Sequence, residues 1–201
     1  GLLKKKLPFF DLIESIDVRV YKTKGTDPRA EISRFAYQLK SLAPGEVKDW
    51  LIWYNQSKMS KEDFKYYLRT NIYGNRALPH IFISYSEYKE GRSYSIEELI
   101  SLSKKRPTIE HVMSQVPKFS PPSFGFKNQD EFLEYEHTLG NLTVLEEKLN
   151  KAIQNKNPSE KVQSYDKSFF KITKALSSSI AKQKQFTKAD IQQRTNELSD
   201  Y

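Results

Sequence analysis

The chain of 201 residues has no cysteine, which excludes disulfides, thiolate zinc sites and cysteine nucleophiles together and fits a cytoplasmic protein. No apolar run approaches the roughly 18 residues that span a bilayer, so no membrane partner is expected. Leu2-Leu3 ahead of Lys4-Lys5-Lys6 does not have the form of a signal peptide. There is no glycine-rich phosphate loop, and no motif supports a Ser/His/Asp triad. What is present is ordinary for a folded protein: 37% hydrophobic and 13% aromatic residues, enough to bury one large core or two small ones despite the high charge.

The net charge of +8 is unevenly spread. Lys and Arg stand 20 against 13 acidic residues over positions 1 to 107, but only 13 against 12 from 108 to the end. A basic region beside a site that acts on phosphates would neutralise nucleic-acid backbone, and it also suits a lysine-rich solvated surface.

The first hundred residues read as a helical layer. Asp27-Pro28 predicts a helix start, with Asp27 as N-cap and Ile32, Phe35, Ala36, Leu39 and Leu42 on one face. Ala43-Pro44-Gly45 stops it, and Val47, Trp50, Leu51 and Tyr54 make a second stripe. Ser60 with Asp63 opens a third helix through Phe64, Tyr67 and Leu68, and Ser95 with Glu98 opens a short one through Ile96, Leu99 and Ile100. The run from Leu78 to Tyr88 is expected to be a buried helix, with His80 packed or at the surface. The aromatics Trp50, Trp53, Tyr54, Tyr66, Tyr67 and Tyr73 are assigned to the core.

The pattern changes at Thr108. Thr108-Ile109-Glu110-His111 is a short β-prone run that ends in an acid followed by a histidine, which together offer a hard oxygen ligand and a proton acceptor. Val116 to Lys127 holds three prolines and a glycine, so it is a long loop. Asn128 opens a helix through Phe132, Leu133 and Tyr135. His137-Thr138-Leu139-Gly140-Asn141 leads into a second strand, Leu142 to Leu145, and Glu146 to Gln154 is a helix carrying Asn150. Ser159 is expected to cap the next helix, and Thr187 with Asp190 the last. Folded back, this strand, loop, strand and helix could bring Glu110, His111, Asn141 and Asn150 together, giving oxygen ligands for a divalent cation and an imidazole beside it.

Those residues resemble a known family. Ile-Glu-His, then His-x-Leu-Gly-Asn-Leu-Thr, then Asn150 is similar to the HNH (ββα-metal) nuclease domain at the C-terminus of GmrSD-type and related DNA-defence restriction endonucleases. The nine-residue step from Asn141 to Asn150 also resembles the HNH domain of CRISPR effector nucleases. The likeness continues through Lys161, Tyr165 and Ser168 to Ile191 and Arg194. The family's proline three residues after the histidine is Ser114 here. Full-length relatives begin with a ParB-like nucleotide-binding domain, so the chain is expected to be a C-terminal fragment of a longer, bacterial protein.

The resemblance implies an α+β, mostly α fold: a basic helical region over 1–106, then over 107–201 an HNH core wrapped by C-terminal helices. It implies a strand that bends, so that Glu110 joins His111, with Mg²⁺ or Mn²⁺ held by Glu110 and Asn150. His111 would be the general base, its ordinary pKa near 6.5 suiting that work, and Asn141 would orient it or hold the strands together. His137 matches a family histidine. Lys104, Lys105, Arg106 and Lys161 are candidate phosphate contacts. The partner is DNA, beside the N-terminal domain of the same protein, and no oligomeric state is assigned. Two alternatives stay open: a catalytically degenerate DNA- or protein-binding module, and an RNA- or toxin-type nuclease on the same core.

Overall fold

A computed structural model describes residues 9–116 and 118–201. The Leu2-Leu3 and Lys4 to Lys6 segment and Pro117 lie outside them. The architecture is α+β and mostly α. Among the described residues the one sheet is an antiparallel pair of strands, and the remaining regular structure is helical. Residues divide into two compact units, one running to Lys65 with Asn75–Ala77, the other Tyr66–Gly74 with Leu78–Tyr201. The expected boundary at 106/107 therefore falls inside the second unit. The helices just before the first strand bury residues such as Phe82, in the helix expected to be buried, and Leu102.

In the first unit, α1 (Phe9–Ile16) runs on into a π-helical stretch, Asp17–Thr23, followed by α2 (Arg29–Gln38) and α3 (Pro44–Lys58). Its core gathers Leu12, Ile16 and Val20 against Leu51 and Tyr54, with Ile32, Val47 and Trp50 packed at the edge. Only Phe35 is buried from the stripe expected on α2, and its ring stacks on Trp50 at 3.7 Å and 5°. Asp27 is not the N-cap: Pro28 occupies that place, and the Asp27 carboxylate accepts from the Arg29 N–H at 2.9 Å. Pro44 opens α3, with the Glu46 carboxylate accepting from the Ala43 N–H at 2.7 Å.

The chain continues through α4 (Lys61–Leu68), α5 (Leu78–Glu90) and α6 (Ile96–Lys104) into β1 (Pro107–His111). The Ser95–Glu98 and Ser60–Asp63 caps form as expected. The long loop after β1 contains one short 3₁₀ turn, Pro121–Phe124, closed by Gly125 at φ 88°, where a residue without Cβ carries no strain. Then follow α7 (Gln129–Glu136), β2 (Leu142–Glu146), α8 (Glu147–Ile153), α9 (Pro158–Asp166), α10 (Lys171–Gln183) and α11 (Lys188–Asp200). Asn157, not Ser159, precedes α9: proline is suited to the first helical position, so the cap moves back to the residue before Pro158.

Every residue of β2 is buried, because α5, α8 and α10 all pack on the hairpin. The register pairs Glu110 with Thr143 and His111 with Leu142. Around it Val112, Met113, Phe126, Phe132, Leu145, Ile153, Tyr165, Leu176, Ile180, Phe186 and Ile191 form one apolar core. A sheet of two strands is marginal alone, so these helices, and not the hairpin itself, hold the strands in place.

Candidate active site

Alternation along β1 decides where its side chains go. Glu110 turns toward α9, where its Oε1 accepts from the Lys161 ammonium at 2.7 Å and from the Tyr165 hydroxyl at 3.0 Å. Lys161 also donates to the carbonyls of His111 at 2.7 Å and Val112 at 3.2 Å, so its three protons have three acceptors. Burial raises the pKa of Glu110 and lowers that of Lys161, each eased by the other's charge. The fully bonded ammonium marks the pair as ionic. Burial also keeps the Tyr165 phenol protonated, as its donor role requires.

The same segment grips the second strand. The Glu146 carboxylate accepts from the Ser168 hydroxyl at 2.9 Å and from the Phe169 N–H at 2.7 Å. Lys161, Tyr165 and Ser168 thus clamp one glutamate on each strand. Lys161 is fully buried, which corrects its assignment as a phosphate contact. Glu110 likewise does not join His111: β1 does not bend there, and its carboxylate is neutralised by Lys161.

Asn141 is fully buried and braces the exit of β1. Its Oδ1 accepts from the Met113 N–H at 2.8 Å, and its Nδ2 donates to Met113 O at 3.1 Å and Glu136 O at 2.8 Å. These bonds tie the turn before β2 to the segment that follows β1. Gly140 lets this turn lie against α11: a Cβ there would meet Ile191 O at 2.0 Å. Arg194 of α11 donates to the carbonyls of Gly140, at 2.7 Å, and Leu142. Ser114, where the family has proline, donates to Lys156 O at 3.1 Å, a tether in place of a stiff ring.

His111 faces the other way, into a cluster of rings. Its Nε2 is hydrogen-bonded to Nδ1 of His137 at 3.0 Å. The Tyr73 ring stacks on His137 at 5.0 Å and 11°, and lies 4.5 Å from His111. Glu136 Oε2 stands 3.5 Å from the far nitrogen of His137. Burial foremost, then the charges of His137 and Lys161, lowers the His111 pKa from 6.5 to about 3, so this imidazole is neutral at cellular pH.

Asn150 lies apart from that cluster. Its Nδ2 donates to Thr108 Oγ1 at 2.9 Å, toward the start of β1. Lys104, Lys105 and Arg106 are exposed and also precede the strand. At ~3.4 Å per residue the backbone of Arg106, the last of the three, lies roughly 17 Å from that of His111, so a phosphate they held would be remote from it.

The structure therefore unites His111 with His137 and with the Asn141 brace, and separates both from Glu110 and Asn150. Of the cluster's other members, Tyr73 is expected in the core from the sequence and Glu136 carries no assignment there. The repeated Glu-His dipeptide, 110–111 and 136–137, was the signal for the second. Tyr73 had no local signal, since residues 71–73 reach the site only by pairing with Thr138 and His137.

Fold and site define a helical α+β domain built on a hairpin, with a buried neutral histidine at the strand end and an asparagine-braced loop behind it. A family model described as GmrSD restriction endonucleases, C-terminal domain, matches residues 51–201. The chain belongs to that family, and so is a restriction endonuclease-type domain, for which DNA is the implied substrate. No match is found among curated proteins or solved structures. No helix among the described residues is long and apolar enough to cross a membrane.

Proposed function

We propose that this domain is an HNH-type endonuclease that cuts or nicks DNA by phosphodiester hydrolysis, with His111 as the general base. One observation carries the reading: the histidine that the family resemblance singles out is buried, neutral and hydrogen-bonded at the end of β1, within a loop fixed by Asn141. A neutral imidazole can take a proton from the attacking water, an effect of about 10² to 10⁴ in rate. The remaining barrier falls to orientation of the phosphate and to charge stabilisation.

Mg²⁺ or Mn²⁺ is the cofactor the resemblance implies, and when bound it would stabilise charge on the scissile phosphate. The ligand set drawn from the sequence does not fit a preformed cation site. Glu110 is already neutralised by Lys161, Asn150 is turned toward Thr108, and no cluster of three or more His, Asp or Glu among the described residues could hold an ion. The part assigned to this chain is accordingly proton transfer at His111.

In its setting the domain would be the effector of a bacterial, cytoplasmic restriction or phage-defence protein, acting beside a ParB-like nucleotide-binding domain. Incubation with supercoiled plasmid, with Mg²⁺ or Mn²⁺ and with EDTA, tests the reading. Metal-dependent conversion to open-circular or linear DNA is expected. Binding of DNA with no cleavage under either metal would replace it with a non-catalytic module.

A further inference from the structure

Glu136 reaches His111 through His137, while Tyr73 stacks on His137 and also lies against His111 at 4.5 Å. Glu136 is 8% exposed and its Oε2 lies 3.5 Å from Nε2 of His137. A carboxylate so placed favours a proton on that nitrogen over a lone pair, which leaves Nδ1 bare. Nδ1 in turn faces Nε2 of His111 at 3.0 Å. Two lone pairs cannot share that distance, so with both rings neutral His111 carries its proton on Nε2. Its Nδ1 is then the open nitrogen, without a hydrogen-bond partner among the described residues. The stacked Tyr73 ring fixes the plane of His137, and is itself anchored by the Ile72 N–H donating to His137 O at 3.1 Å and by the Asn71–Thr138 bridge.

We propose that Glu136 and Tyr73 are positioning residues that act through His137 to fix the tautomer of His111, presenting Nδ1 as the nitrogen that accepts the proton of the attacking water. The tautomer follows from the geometry of two neutral rings, while the use made of it rests on the proposed nuclease activity. In the reaction the Nδ1 lone pair takes a proton from water as the water oxygen bonds to phosphorus. The P–O bond to the leaving oxygen breaks, and that oxygen takes a proton from solvent.

Loss of tautomer control costs about 10⁴ in a Ser-His-Asp triad. The longer contact here predicts a smaller loss, on the order of 10-fold or more in kcat for Glu136→Gln, with KM unchanged.

The test combines nitrogen NMR of the imidazoles in the metal-free protein with cleavage kinetics. Long-range proton–nitrogen correlations should show bare Nδ1 and protonated Nε2 on His111. Glu136→Gln, whose amide can either donate or accept, should mix the tautomers. Tyr73→Phe should keep both spectrum and rate, and Tyr73→Ala, at a half-exposed site that tolerates truncation, should disturb both. A proton found on Nδ1 of His111, or spectra unchanged by Glu136→Gln, would overturn the proposal. Wild-type protein with the expected tautomers and no cleavage would overturn the nuclease reading and leave the positioning of His111 standing.

Discussion

Lys161 and Glu110 meet at 2.7 Å with 1% and 7% of their side chains exposed, and they join the helix that follows the hairpin to its first strand. Lys161 also holds the carbonyl of His111. The ion pair thus fixes the strand end from behind, while the His111 imidazole lies on the opposite face.

Removing one partner of this pair strands a buried charge. Lys161→Met is expected to cost about 3 to 5 kcal/mol of stability, and Glu110→Gln a comparable amount. The double variant should lose less than the sum of the two, as coupled sites do. Denaturant unfolding of all four proteins checks this. Additive losses would mean the pair is not coupled, and loss of Mn²⁺ binding in Glu110→Gln without loss of stability would restore Glu110 as a metal ligand.

Gly140 sets the distance between the Asn141 turn and α11. A methyl group there collides with Ile191 O, so Gly140→Ala should destabilise by at least the ~1–3 kcal/mol usual for overpacking, and should lower nicking by shifting the Asn141 brace. Thermal unfolding and a nicking assay read the two effects. Wild-type behaviour in both would show that the turn relaxes freely.

Much of this was legible in the sequence. Both strands, the helices after them, and the caps at Ser95 and Thr187 follow from periodicity and capping residues. The site was read less well, because the sequence shows which residues recur in a motif and not which face each takes. Glu110 and Lys161 carry charge, which suggested ligands for metal and phosphate. Burial turned them on each other. Tyr73 was assigned to the core with the other aromatics, yet it is 44% exposed and stands over the histidines. Only long-range pairing puts it there.

His111 titrates at about 3 in the folded protein and near 6.5 when unfolded. Between those values only the unfolded chain takes up its proton, so stability falls as pH drops from about 6.5 toward 3. The slope from this group is up to ~1.4 kcal/mol per pH unit. His111→Asn should flatten the pH dependence of unfolding, measured in chelator, over that window. Equal slopes in the two proteins would show that His111 is not held neutral.

Lys104, Lys105 and Arg106 are exposed at a distance from His111, which makes them candidates for contact with DNA backbone. Replacing all three by Gln should weaken binding without sequence preference and make the log–log salt dependence shallower by up to ~2.7. Fluorescence anisotropy across salt concentrations measures it. An unchanged slope would make the cluster a solvated surface.

The central claim is that His111 removes the proton from water in DNA cleavage. Single-turnover cleavage of plasmid by His111→Ala, beside wild type and with unfolding monitored at the same pH, tests it most directly. The account predicts a fall in rate of about 10² to 10⁴ in a protein that remains folded and still binds DNA. Cleavage at the wild-type rate by the folded variant would contradict it.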